Sequence, residues 1–150
     1  MSEKLGNIVA ENIHILHIET VKQKIDVGNF KKAKHHQIAM GTRFAFNLED
    51  SRCKIELYLR IDGHNDDAPV SFHINFHFRV VDMDHFYAIN VDKKAPVFQS
   101  HFISTLIGIS LSTARGMIYE KLNNSGLKNI ILPVVAPQNL LTKSAKQQKS

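Results

Sequence analysis

From Val97 to Tyr119 the chain carries one charged residue, Arg115, and one histidine, His101. Apolar side chains recur there at helical spacing on two flanks. Phe98, Phe102, Leu106, Ile109 and Met117 form one; Ile103, Ile107, Ala114, Ile118 and Leu122 form the other. A helix that is apolar on most sides must be covered on most sides. The pattern predicts a helix opened by Pro96, whose fixed φ and missing N–H suit a first turn. It should close after Leu122, at Asn123-Asn124-Ser125-Gly126. Ser100, Ser104, Gly108, Ser112 and Gly116 recur at every fourth position, an inclined row of small side chains that lets another helix come close. Either the rest of this chain packs tightly over the helix, or a second chain does. A small sheet covers one side only, which favours an oligomer interface at Ser104, Gly108, Ser112 and Gly116.

Three segments upstream alternate with period two, the mark of strands with one buried face. The first turns Ile38, Met40, Thr42, Phe44, Phe46 and Leu48 one way; the second turns Ile55, Leu57, Leu59 and Ile61 inward. The third buries Val70, Phe72, Ile74, Phe76, Phe78 and Val80 and leaves Ser71, His73, Asn75, His77 and Arg79 outside. Their short connections predict an antiparallel meander. A fourth strand between Asn12 and Ile25 is less regular. Ile13 and Ile15 share one parity and Leu16 and Ile18 the other, which calls for a bulge or for apolar contact on both faces. The link from Asp26 to His35 is too long for a hairpin and should cross to another place in the sheet. At the far end two prolines, Pro133 and Pro137, make Ile130 to Pro137 extended, with a short helix opening at Pro137. The expected architecture is α+β, a four-stranded antiparallel sheet packed on a long helix in the C-terminal half, plus a short final helix. Residues 1–141 form one domain and 142–150 a basic disordered tail.

The net charge is +5, but Lys143, Lys146 and Lys149 sit in that tail, and without them 16 basic residues face 14 acidic ones. A nucleic-acid partner is therefore weakly indicated. The first residues lack the apolar run of a signal peptide, the uncharged stretch Phe102–Ala114 is too short to span a bilayer, and a single cysteine excludes an intrachain disulfide. These features point to the cytoplasm.

The usual marks of catalysis are missing from the sequence. Nine histidines invite a metal site, yet His73 and His77 stand about 13 Å apart at strand rise. His14 and His17 fall on opposite faces of a regular strand. Cys53 shares parity with Ile55 and Leu57, which makes it a buried thiol. Asp62, Asp66 and Asp67 beside Gly63 fit a hairpin loop better than a calcium loop. Neither a phosphate loop nor a nucleophile elbow is present. The expectation is a non-enzyme with no cofactor and no metal.

Leu106 to Leu141 resembles the C-terminal half of the protein-export chaperone SecB and its relatives. The matching residues are Ser112-Thr113-Ala114-Arg115, Gly126, Leu132-Pro133-Val134-Val135-Ala136-Pro137 and Leu140-Leu141. The resemblance implies a SecB-like subunit, assembled as a dimer of dimers, that holds unfolded polypeptides in apolar grooves without ATP for protein export. In the export pathway clients pass to the translocase motor SecA. The chain departs from the family in its lysine tail, in Gln138-Asn139 where an aromatic is usual, and in Gly116 where an acid is usual.

Apolar residues in irregular segments are the candidate client contacts: Phe30, Val134, Val135, Leu140 and Leu141. Two other functions stay open. One is a SecB-like chaperone dedicated to a single partner, such as the antitoxin of a toxin–antitoxin system. The other is a small-molecule or nucleic-acid binding module using the histidine-bearing face.

Overall fold

The structure is a computed structural model that describes residues 7–63, 65–92 and 94–144. Four strands, β1 (Ile13–Ile25), β2 (Ile38–Asn47), β3 (Arg52–Ile61) and β4 (Val70–Val80), form an antiparallel sheet in the order β1-β4-β3-β2. Strands β2, β3 and β4 are the expected meander. β1 pairs with β4, so the link that follows it crosses the whole sheet to reach the opposite edge. A 3-10 turn at Val27–Asn29 starts that crossover, held by the Asp26 carboxylate, which accepts from the Asn29 N–H and side-chain amide at 3.3 and 2.7 Å.

The inner face carries the expected alternating residues. Ile55, Leu57, Ile61, Ile74, Phe76 and Phe78 are fully buried. Over them lies α1 (Ser100–Asn124), which presents Phe102, Ile103, Leu106, Ile107, Ala114, Ile118 and Leu122 to the sheet. By length and hydropathy α1 is the one described helix able to cross a membrane, but half of its apolar stretch is buried in this core. Three of its hydroxyls are satisfied inside the helix: Thr105, Ser110 and Thr113 donate to the carbonyls four residues back at 2.7–2.9 Å. Gly126 ends it as expected. With φ at +93° it lets its own N–H reach Asn123 O and the Leu127 N–H reach Leu122 O at 2.8 Å.

The helix starts later than the sequence predicts. Pro96 lies in a small ribbon of β5 (Tyr87–Asn90) and β6 (Ala95–Phe98), opposite Ile89. A two-stranded ribbon has only edges, so a missing N–H costs nothing there. Phe98 and Phe86 each stack on Phe102, with Phe98 also set edge-on to Phe44, and this aromatic cluster fixes where the helix begins. The final helix α2 (Pro137–Ser144) lies over α1 and β2. It runs past residue 142, so the first residues of the expected tail are helical, and 145–150 lie outside the described residues.

Candidate functional site: a crossover groove and the outer sheet face

The crossover and the loop after α1 face each other across a groove of about 580 Å³, with Val27, Phe30, Leu127 and Ile130 as its apolar lining and Lys32, Lys34 and Lys128 beside them. Its geometry is held from the sheet. The Phe30 ring stacks on His36 with centroids 4.7 Å apart, and His36 Nδ1 lies 2.7 Å from Asp62 Oδ2. Asp62 Oδ1 also accepts from the Gln37 N–H at 2.9 Å. One carboxylate thus ties the crossover to the end of β3. On the other wall, the tight turn at Gly126 sends Leu127 and Ile130 back toward the crossover.

Of the expected client contacts, Phe30 lines this groove. Val134 is 86% exposed on the extended stretch before α2, and Val135 and Leu141 are half-buried against the core. None of these three lines the groove with Phe30. Leu140 is a correction. It is 5% exposed and part of the core cluster, because α2 turns this side chain under itself toward β2. Val27, Leu127 and Ile130 are the lining residues that sequence reasoning missed. The signal for two of them was Gly126, a helix-ending glycine that puts the next apolar residues at a sharp turn.

The expected interface row divides. Ser104 is buried and donates to His101 O, and a side chain on Gly108 would stand 3.5 Å from the Pro137 ring of the same chain. Ser112 and Gly116 are exposed, and among the described residues no atom beyond the helix's own adjacent backbone lies within 4 Å of where a Gly116 side chain would begin.

The outer sheet face overturns one expectation. His14 and His17 lie on the same face, because Leu16 is an unpaired extra residue: Ile15 pairs with Phe78 and His17 with His77. Val21 is a second such residue, between Thr20 opposite Ile74 and Lys22 opposite His73. The two shifts account for the mixed parity of the strand. His17 and His77 rings then stand 5.7 Å apart. At the centre of the face the Tyr58 hydroxyl donates to Glu56 at 2.6 Å, Lys54 lies 3.3 Å from Glu56, and the Tyr58 ring stacks on His73. Partial burial pulls the Glu56 carboxyl up, but the Tyr58 hydroxyl, Lys54 and Arg43 outweigh it and hold it below the usual carboxylate range. Burial and the bond to Glu56 push Tyr58 up to about 12, and burial alone does the same to the Cys53 thiol. A thiol that stays protonated is no nucleophile at neutral pH. Among the described residues only Asp82, Asp84 and His85, all exposed, come close enough to share an ion. Exposed acids in a turn are common without one.

No protein-family model matches the sequence, and no curated protein matches it. Among solved structures the chain resembles the SecB-like chaperone Rv1957 of Mycobacterium tuberculosis, solved in complex with a ChAD peptide from the Rv1956 HigA1 antitoxin. The match has a TM-score of 0.55 at 14% identity and covers 84% of this chain and 91% of that one. With the strand order, the crossing link and the two helices already in place, the likeness shows that this chain has a SecB-like fold.

Proposed function

We propose that the protein is a chaperone that holds unfolded polypeptide segments without nucleotide. The observation that carries this reading is the half-open groove, in which Phe30, Leu127 and Ile130 stand among lysines, formed by irregular segments on a SecB-like fold. An extended client segment would bury apolar area there at about 25 cal/mol per Å². One such segment binds weakly after ordering costs, so tight holding requires several grooves acting on one chain.

A homo-oligomer, a dimer of dimers in the SecB-like reading, would supply them. Three features support self-association. β1 is an edge strand thirteen residues long with Ile15, Leu16 and Val21 exposed among the described residues. Ser112 and Gly116 leave one side of α1 open to close approach. Arg115, the lone charge of the apolar helix body, has its Nε buried with no hydrogen-bond partner among the described residues.

The test is aggregation of several unrelated denatured proteins, followed by light scattering without ATP. Suppression by the wild type, weakened by Phe30→Asp with Ile130→Asp, supports the groove. No suppression of any client overturns general holding.

A second reading, a chaperone dedicated to one partner such as an antitoxin, is favoured by the antitoxin peptide bound to Rv1957. Capture of one protein rather than many from native lysate would select it. Delivery to SecA belongs to the export version alone. Export would show as a client pool made of secreted precursors.

A further inference from the structure

The bulge at Leu16 does more than restore an inner face to β1. It aligns His14 with Arg79 and His17 with His77 on the outer face, and the next strand continues the two rows with Arg52 and Lys54. Six basic or imidazole side chains therefore occupy two rows across three strands. That is a patch about 10 Å by 7 Å at ordinary strand spacing. Arg52 and Arg79 are directly opposite, and neither side chain has an ion pair or hydrogen bond among the described residues. Like charges directly opposite destabilise a sheet. Violations of a local rule that nothing in the fold offsets mark functional surfaces. A hollow of about 210 Å³, lined in part by Arg52, Lys54 and His77, opens in the same region.

We infer that this patch is a second docking site, distinct from the crossover groove, and that its occupant is an acidic polypeptide segment, a short run of Asp and Glu. Charge complementarity names the sign. Two observations favour polypeptide over nucleic acid. The next row holds the carboxylates of Glu19 and Glu56 on either side of Asn75, so a continuous phosphate track would have to cross acid. The aromatic of the face, Tyr58, is stacked on His73 at 4.3 Å and has no pair of open faces for a base. Lys54 already lies 3.3 Å from Glu56 and His77 3.7 Å from Glu19, so a short acidic segment would engage chiefly the row of His14, Arg79 and Arg52 and stop before the carboxylates.

The experiment uses the full chain and a fluorescein-labelled deca-glutamate peptide, read by anisotropy at low salt. Binding that weakens steeply with salt and falls at least tenfold in Arg52→Glu with Arg79→Glu is expected. The charge-matched control, Lys31→Glu with Lys121→Glu, outside both the patch and the groove lining, should bind as the wild type does. Melting temperature verifies that the Arg52/Arg79 variant is folded, and the single variants Arg52→Gln and Arg79→Gln, each with a smaller loss, replace it if it is not. Absence of binding by the wild type overturns the proposal. An equal loss in the lysine control also overturns it, because net charge alone would then explain the binding. Tighter binding of a single-stranded oligonucleotide of ten phosphates than of the peptide assigns the face to nucleic acid and overturns the polypeptide reading.

Discussion

His14 and His17 stand three residues apart in an extended strand and yet share one face of the sheet, because the unpaired Leu16 between them shifts the pairing by one. The outer basic patch depends on that single extra residue, and so does the inward direction of both Ile15 and Ile18, which a regular strand would split between faces.

Arg79→Glu should stabilise the protein. It turns the opposed pair Arg52–Arg79 into one of opposite sign, a change of about 0.5 kcal/mol for an exposed cross-strand pair. Urea unfolding at low salt should show the gain as a higher midpoint with unchanged slope. At 1 M salt, where charges further apart than about 3 Å are screened, the gain should vanish.

Leu140 and Val134 should separate core from surface. Leu140 is 5% exposed in the core cluster and Val134 86% exposed. Leu140→Ala should cost about 3 kcal/mol, while Val134→Ala stays within about 0.5 kcal/mol. Thermal unfolding compares them directly. Equal effects would mean that α2 does not hold the position it has here.

Arginine at the two helix glycines should give different failures. Gly108 faces the Pro137 ring within the chain, so Gly108→Arg displaces α2 and lowers the melting temperature. At Gly116 no described atom beyond the adjacent helix backbone lies within 4 Å of an added side chain, so Gly116→Arg should leave the fold intact and reduce the mass seen by light scattering. A Gly116→Arg protein with unchanged mass would remove this side of α1 from the interface.

Alkaline pH should weaken the fold through Cys53. Burial raises its pKa from an ordinary 9.0 to about 12. Below pH 9 the thiol is protonated whether folded or unfolded, so its contribution is fully present. As pH rises from 9 toward 12 only the unfolded chain ionises, and stability falls by up to about 1.4 kcal/mol per pH unit. Cys53→Ala should start less stable at neutral pH and lose less between pH 9 and 11 in urea titrations.

Local periodicity determined the sheet and its companion helix. The alternation in β2, β3 and β4 and the apolar flanks of α1 are properties of neighbouring residues, and a period of two or of 3.6 survives in any fold that buries one face. Gly126 as the helix stop and Cys53 as a buried thiol were legible for the same reason. Pro96 was misread because a proline suits both a first helical turn and an edge strand, and only the stacking of Phe98 on Phe102 decides between them. The place of Leu140 depends on how α2 lies over β2, which no local pattern encodes. The groove joins Phe30 to Ile130 across a hundred residues, and the opposition of Arg52 to Arg79 follows from the register of β3 against β4. Register and bulges are set by what each strand meets across the sheet, which is why the surfaces most open to a partner emerged only from the tertiary structure.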